Sequence, residues 1–192
     1  TFRPFYTPVS FGALAGPARD EHAMPVRRSP LHGWAARHGA VFIDVGLWYR
    51  SSWFPKAGEK TWRESVDREV RTVREHAGLC DVSTLGKIEV FGPDAAEFLN
   101  RLYCNPVLKL PVGKARYGLM LREDGMVYDD GTVSRLAEEH FLVTTTSAMA
   151  AGVLSHMEFA AQALWPALRV RFLSVSDQWA QMSIVGPKAR AI

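Results

Sequence analysis

The sequence predicts an α+β fold in which mixed and antiparallel sheets are flanked by helices. The strongest observation is a hairpin pattern. Glu123, Asp124 and Gly125 separate two partly alternating apolar runs, and Asp-Gly at such a junction favours the positive φ of a tight turn. The second observation is a series of short apolar runs bounded by Gly and Pro. The third is helical spacing of apolar residues in one early and one late segment.

The composition is typical of a packed globular protein. The chain has 192 residues, of which 47% are hydrophobic, and this is enough to bury a sizeable core. No apolar run approaches the length of a membrane span and no secretory leader pattern is found, so we expect a soluble protein. Cys80 and Cys104 lie in apolar contexts without Cys-x-x-Cys spacing, which predicts reduced, buried thiols and a cytoplasmic location.

The net charge of +3 is small but unevenly distributed. Residues 1–60 carry eight Lys or Arg against four Asp or Glu. Such a basic segment could meet an acidic partner or an anionic cofactor tail, although a solvated surface is the commoner explanation. No basic run is interleaved with aromatics, so we do not predict binding to nucleic acid.

Residues 1–28 are predicted to form an extended interdomain arm. Prolines at positions 4, 8 and 17 prevent a continuous helix, and the aromatic residues between them need a surface on which to pack. We therefore assign residues 29–192 to one domain and expect the natural chain to begin upstream of Thr1.

The first half of this domain predicts short strands and two helices. Residues 24–60 are rich in Trp and irregular, which favours strands joined by turns. Over residues 63–76, valines recur at helical spacing among charged residues, so we predict a surface helix that stops before Gly78. Residues 78–83 and 87–91 have strand patterns, and Gly92-Pro93-Asp94 opens a predicted helix over residues 95–103.

The central hairpin is predicted to pair residues 116–122 with residues 126–136. Its second strand contains Asp129 and Asp130, although Asp is depleted from strand interiors. Successive strand residues point to opposite faces. One interpretation is an edge strand or bulge whose carboxylates are solvated or paired to arginines 116, 122 or 135. The other is that one carboxylate lines a ligand cavity.

The last part of the chain predicts a strand over residues 141–145 and a helix that runs to about Leu164. Thr146 or Ser147 is expected to cap this helix, and Pro166 to end it. Strands over residues 169–173 and 178–185 follow. The Gly-Pro at 186–187 repeats the pattern of residues 90–95, which indicates two related half-units. It also predicts that the chain stops within a first helical turn, so that the domain is truncated at Ile192.

Several kinds of site are excluded by the motifs. The sequence has no Gly-x-Gly-x-x-Gly dinucleotide turn, no Walker loop and no Gly-x-Ser-x-Gly elbow. Its histidines show no pairing at ligand spacing, so we predict no metal site. The remaining candidates are the two aspartates, the phenol of Tyr117 and the hydroxyls of residues 144–146. Strand alternation lets Tyr117 share a face with one aspartate. A carboxylate and an aromatic ring together suit a flat, nitrogen-rich ligand, although core packing is the other interpretation for Tyr117.

Four motifs in order resemble the aminomethyltransferase family, which includes the folate-binding T-protein of the glycine cleavage system. They are Ala-Gly-Leu-Cys-Asp-Val-Ser at residues 77–83, Glu-Phe-Leu-Asn-Arg-Leu at 97–102, Tyr-Gly-Leu-Met at 117–120 and Glu-Asp-Gly-Met-Val-Tyr-Asp-Asp at 123–130. The resemblance covers about residues 30–192. It implies the fold of the family's folate-binding domain, truncated here.

Within that family, residues 1–14, 81–88 and 121–127 are similar to the alpha subunits of heterotetrameric sarcosine oxidases. This resemblance implies partner subunits and a bound tetrahydrofolate that captures the carbon removed from sarcosine as 5,10-methylenetetrahydrofolate. Flavin and NAD are expected elsewhere in the full enzyme, and this chain alone is expected to be inactive. One alternative is a glycine-cleavage aminomethyltransferase. The other is a non-catalytic folate-binding regulator, although the Lys-Gly-Cys signature of its iron–sulfur relatives is absent.

The resemblance also implies which residues form the site. Asp129 falls on the family's folate-contacting carboxylate and is expected to hold the pterin edge and act as a general base. Tyr117 falls on an aromatic of the pterin pocket. Leu85 lies where the family often has a methionine against the folate. Thr145 replaces a pocket asparagine, and its shorter hydroxyl can still donate one hydrogen bond.

Overall fold

The computed structural model describes residues 27–192, together with Ser10 and Ala13. The predicted interdomain arm therefore lies almost wholly outside the described residues. In the described part, strands and helices alternate irregularly along the chain. Their bounds are β1 Arg27–Arg28, α1 His32–Arg37, β2 Val41–Val45, β3 Trp48–Trp53, α2 Trp62–Glu75, β4 Gly78–Asp81, β5 Gly86–Phe91, α3 Ala95–Leu102, β6 Ala115–Leu121, β7 Val127–Ala137, β8 His140–Thr145, α4 Ala150–Phe159, β9 Arg171–Ser174 and β10 Met182–Val185.

The strands of the described part form three sheets. The largest has the order β6-β7-β8-β5-β9 and is antiparallel throughout. A second sheet has the order β1-β3-β2, with β1 parallel to β3, and β4 pairs antiparallel with β10 in a third. This arrangement of mixed and antiparallel sheets with helices confirms the predicted α+β class.

The main core lies between one face of the five-stranded sheet and the helices α3 and α4. We call this the helix-covered face, and it carries the inward side chains of β5, β6, β7 and β8. The other side of the sheet is called the opposite face. The core side chains are Ile88, Val90, Phe98, Leu99, Met120, Val133, Phe141, Val143, Val153 and Met157.

The predicted early helix is confirmed as α2, and it begins with a capping box. Thr61 Oγ1 accepts a hydrogen bond from the Glu64 backbone N–H, and the Glu64 carboxylate accepts one from the Thr61 N–H, both at 3.4 Å. These two bonds satisfy N–H groups that the first helical turn leaves without partners. Only Ser65 of the helix is fully buried, so the cap supplies stability that burial does not.

Replacing Thr61 with Ala is therefore expected to lower the free energy of unfolding by about 1 kcal/mol. Chemical denaturation of the chain measures the loss. Thr72→Ala is the matched control, because the Thr72 hydroxyl donates within the helix to the Arg68 carbonyl and its removal leaves the cap intact. Equal losses in the two variants would show that the capping box does not stabilise α2.

Two predictions of local structure were only partly right. Residues 24–60 were predicted to contain short strands joined by turns, and β1, β2 and β3 confirm the strands, but α1 also forms within them. This six-residue helix buries only Ala35 and has no side-chain cap, so its apolar pattern is too weak to be recognised. Cys80 and Cys104 are free, yet both are exposed. For Cys80 the reason is that β4 belongs to a two-stranded sheet.

In the last part of the chain, the structure differs from the prediction mainly in where the helix and the strands begin and end. The helix after β8 starts at Ala150, has no side-chain cap and continues into a π-helical turn over Ala160–Leu164. β9 and β10 are shorter than predicted, because residues 176–178 form a 3-10 turn between them. Gly92 and Gly186 adopt φ of 132° and 121°, and each precedes a helical segment, so the local geometry repeats as the sequence does.

None of the described helices is long and apolar enough to cross a membrane.

Candidate functional site

The β6–β7 hairpin separates the two adjacent aspartates. Its turn is confirmed, with Gly125 at φ 81°. Met120 pairs with Asp129, but the next pair is Leu121 with Val127, so Tyr128 is the extra residue of a β-bulge. Because Met120 is a core residue, its partner Asp129 lies on the helix-covered face, and Asp130 lies on the opposite face.

Asp129 is buried, with 5% of its surface exposed. Its Oδ1 accepts a hydrogen bond from Thr146 Oγ1 at 2.7 Å, and its Oδ2 accepts one from the Thr146 backbone N–H at 3.2 Å. The three arginines considered as partners bind other groups in the described part of the chain, namely the Pro106 carbonyl, Asp124 and Glu138. Asp129 is thus held by neutral donors rather than by a cation.

This environment raises the pKa of Asp129 above its ordinary value, chiefly because burial disfavours the charged form. The hydrogen bonds from Thr146 act in the other direction, and the charge of Asp130 adds to the rise. Burial also raises the pKa of the Tyr103 phenol, with a smaller contribution from the charge of Asp129. A carboxyl whose pKa is raised toward neutrality is better suited to accept and return a proton than a solvated aspartate.

Removal of the Thr146 hydroxyl is expected to raise the pKa of Asp129 further. This hydroxyl stabilises the charged carboxylate, so Thr146→Val shifts the titration of Asp129 to higher pH. The side-chain carboxyl ¹³C signal of Asp129, followed by NMR across the acidic range, measures the shift. Thr145→Val is the control, because the Thr145 hydroxyl donates to the Thr146 carbonyl at 3.0 Å and not to Asp129. A titration unchanged by Thr146→Val would contradict the assigned hydrogen bond.

A second segment lies beside this carboxylate, formed by the turn before β5 and the end of β8. Gly86 pairs with Thr145, and the Thr84 hydroxyl accepts a hydrogen bond from Ser147 Oγ at 3.0 Å. A Cβ on Gly86 would lie 2.1 Å from Thr145 Oγ1, so the two segments are in direct contact. Leu85 is half-buried and directly precedes Gly86, so it lies on the segment that contacts the end of β8.

Tyr117 is placed apart from these residues. It is 57% exposed, and its phenol donates a hydrogen bond to the Asp130 carboxylate on the opposite face. That bond, followed by burial and the charges of both aspartates, raises the pKa of Tyr117. Of the four predicted site residues, Leu85 and Thr145 lie on adjoining segments and Asp129 is bonded to Thr146, the residue after Thr145. Tyr117 shares a face with Asp130 instead.

Thr146 was predicted both as a candidate site hydroxyl and, with Ser147 as the alternative, as a helix cap, but its bond to Asp129 was not predicted. Its hydroxyl and N–H both go to Asp129, and the Ser147 hydroxyl goes to Thr84, so neither residue caps α4. A run of three threonines at the end of a buried strand could have indicated a hydrogen-bonded site, because buried hydroxyls need hydrogen-bond partners.

Two cavities of the described chain lie away from this carboxylate. One of about 820 Å³ lies between α1, α2 and β4, and one of about 600 Å³ lies beside Gly92 and Arg169. Asp129 lines neither of them. Among residues 27–192, no three His, Cys, Asp or Glu side chains are grouped to hold a metal ion.

Comparisons with known proteins identify the family of the chain. Residues 31–192 match the family described as GCVT N-terminal domain. The whole chain is 72% identical to the sarcosine oxidase subunit alpha of Rhizobium meliloti (strain 1021) and 52% identical to that of Corynebacterium sp. (strain P-1), and it spans 20% of each. Over 87% of its length it is 34% identical to the aminomethyltransferase of Anoxybacillus flavithermus, of which it covers 42%.

A solved structure shows the same fold. The glycine cleavage system aminomethyltransferase T from Bartonella henselae superposes with a TM-score of 0.74 at 27% identity, over 86% of this chain and 42% of that one. The chain thus spans a fifth of the sarcosine oxidase subunits and less than half of the aminomethyltransferases that it matches. The chain belongs to the family of GCVT N-terminal domains, and forms an aminomethyltransferase-like region.

Proposed function

We propose that this chain is part of the tetrahydrofolate site of a sarcosine oxidase, where the one-carbon unit removed from sarcosine is captured as 5,10-methylenetetrahydrofolate. The observation that carries the proposal is the buried carboxylate of Asp129, which is held by the neutral donors of Thr146 and not by a cation. It is supported by 72% identity to a sarcosine oxidase alpha subunit over the whole chain. Partner subunits follow from the same likeness, and the cytoplasmic location remains a prediction.

The residues of the site fit a folate ring in their hydrogen-bonding capacity. A carboxylate offers about four lone-pair positions, and Thr146 occupies only part of them. Asp129 can therefore accept further hydrogen bonds from the amino-pyrimidine edge of a pterin, and such charge-assisted bonds are among the stronger ones in proteins. Leu85, on the turn that contacts residues 145–147, would supply an apolar side chain to the same site. Tyr117, which faces Asp130, is less suited to the same ring.

Asp129 would also move a proton. Tetrahydrofolate, when bound, supplies the nitrogen nucleophiles that take up the one-carbon unit. With formaldehyde as the one-carbon unit, Asp129 would accept the proton that each folate nitrogen loses as its C–N bond forms and would return it to the formaldehyde oxygen, so that this oxygen leaves as water with both protons. Its raised pKa suits both steps. Thr146 keeps the carboxylate in one orientation during the exchange. We assign oxidation, with flavin and NAD, to parts of the enzyme outside this chain.

The glycine-cleavage aminomethyltransferase is the second candidate, and the fold shared with the Bartonella henselae enzyme favours it. The sarcosine oxidase assignment has stronger support in sequence, because identity to the aminomethyltransferases is 34%. A non-catalytic folate-binding role remains a third prediction.

The test uses the intact enzyme. Amine oxidation is run with and without tetrahydrofolate, and free formaldehyde and methylenetetrahydrofolate are quantified. If the proposal is right, folate diverts the carbon away from free formaldehyde. Release of all carbon as formaldehyde at saturating folate would overturn it, and transfer from an aminomethyl carrier protein instead would favour the glycine-cleavage candidate.

A further inference from the structure

Lys87 is a fully buried lysine that the proposed mechanism does not use. It lies on β5 with 1% of its surface exposed, on the opposite face from the core. Its Nζ donates hydrogen bonds to the carbonyl oxygens of Ser83 and Leu85, each at 2.9 Å. In the described part of the chain, no carboxylate lies within ion-pair distance of this ammonium.

A lysine in this position is energetically unfavourable unless its hydrogen bonds compensate. Burial lowers the pKa of Lys87, the more distant charges of Asp81 and Asp177 raise it, and Arg27 lowers it slightly. An unbranched apolar side chain would fill similar space without the loss of hydration. The property that only Lys87 supplies is therefore the pair of N–H bonds to the turn before β5.

That turn, residues 83–85, is held from several sides. The Ser83 N–H donates to Asp81 Oδ1 at 3.0 Å, and the Leu85 N–H donates to the Val82 carbonyl at 3.1 Å. Lys87 adds the two bonds to the carbonyl oxygens of the turn. The orientation of Leu85 and of the Thr84 hydroxyl is thus set largely by groups outside the ligand site.

The same turn is joined to the catalytic carboxylate of the proposal. Thr84 Oγ1 accepts from Ser147 Oγ at 3.0 Å, and the preceding residue, Thr146, donates both its hydroxyl and its N–H to Asp129. A continuous series of hydrogen bonds and one peptide link therefore runs from Lys87 through residues 83–85 to Asp129.

We propose that Lys87 is a positioning residue for folate binding, and that it holds residues 83–85 against Ser147 so that Leu85 and Asp129 form one binding wall. The inference rests on the proposed function above. A displacement of about 1 Å in a positioned group can reduce the rate of a reaction by about 100-fold. We therefore expect that loss of the two hydrogen bonds from Lys87 changes the capture of carbon by tetrahydrofolate measurably.

The test compares Lys87→Met with Val90→Ala in the intact enzyme. Val90 is buried on the same strand but faces the core, so its truncation destabilises the domain without touching residues 83–85. Lys87→Met is expected to raise the tetrahydrofolate concentration that gives half-maximal carbon capture by about tenfold, and Val90→Ala to leave it unchanged. Oxidation measured without folate corrects each variant for correctly assembled enzyme.

Hydrogen exchange of the peptide that contains residues 82–86 is the second measurement. It is expected to accelerate in Lys87→Met and not in Val90→Ala. An unchanged half-saturating concentration, or equal changes in the two variants, would overturn the inference and leave Lys87 a purely structural residue. If wild-type enzyme captures no carbon with folate, the proposed function fails and this inference fails with it, while the exchange data still show whether Lys87 holds the turn.

Discussion

Asp129→Asn in the intact enzyme is expected to lower the rate of folate-dependent carbon capture by about 100-fold, a typical contribution of a positioned general base. The amide has nearly the same shape as the carboxylate, so the contact with the Thr146 hydroxyl can persist while the capacity to take a proton is lost. Separate quantification of formaldehyde and methylenetetrahydrofolate measures the effect. Total amine oxidation should change far less than capture.

Asp130→Asn is the matched control for this variant. Asp130 is the next residue in sequence, but it lies on the opposite face and accepts its hydrogen bond from Tyr117. We expect capture near neutral pH to remain within about twofold of wild type, since Asp130 does not share the face of Asp129 and substitutions away from a site usually have small effects. Equal losses in the two variants, or no loss in Asp129→Asn, would remove Asp129 from the proposed mechanism.

The pH dependence of capture provides a further check on Asp129. The basic form is needed, so the rate falls as pH drops through the pKa of this group. Because that pKa is raised by burial, the fall begins at higher pH than for a solvated aspartate. The Asp129→Asn variant should lose this acidic limb. Asp130→Asn should retain it but shift it to lower pH, because the charge of Asp130 contributes to the raised pKa of Asp129.

Gly131→Ala is expected to destabilise the chain by about 3 kcal/mol, the upper part of the usual range for overpacking. A Cβ at this position would lie 1.9 Å from the Thr144 carbonyl oxygen. The obstacle is backbone in the neighbouring strand β8, so a rotamer change cannot relieve it. Chemical denaturation measures the loss. Gly131 is two residues from Asp129 in β7, so the shift should also reach the contact with Thr146.

Gly33→Ala is the matched control for this steric effect. Gly33 lies in α1, and a Cβ there would meet its nearest neighbour, Arg37 Nη1, at 3.6 Å. Alanine is favoured over glycine in a helix, so the free energy of unfolding should rise by about 0.5 kcal/mol. A similar small change in Gly131→Ala would show that β7 and β8 separate more easily than their pairing indicates.

Periodicity and turn chemistry were sufficient to predict most of the fold. The Asp-Gly turn, the α2 helix and the strands β5 and β8 follow from local patterns, and so does the division of the aspartate pair between two faces. Which aspartate faces the helices depends on the bulge at Tyr128, and no local pattern specifies it. The register is set instead by the packing of Met120 and by its partner strand.

The site was predicted less completely than the fold. The family resemblance pointed to Asp129, Leu85 and Thr145, whose roles at a ligand stay predictions; the structure places Leu85 and Thr145 on adjoining segments and bonds Asp129 to Thr146. The resemblance also pointed to Tyr117, which lies across the sheet because strand alternation places it with Asp130. Thr146 was misjudged because a hydroxyl just before a helix usually caps it, and only the folded register shows that a buried carboxylate takes the hydroxyl instead.

The bulge and turn also make the end of the hairpin a convenient place to attach a reporter. Residues 121–127 are all exposed in the described chain, and they lie beyond the Met120–Asp129 pair, where the regular register ends. Added residues between Asp124 and Gly125 would extend the turn and leave the pairing that orients Asp129 unchanged. A fluorophore carried there would remain close to the carboxylate and could report ligand binding as a change in emission.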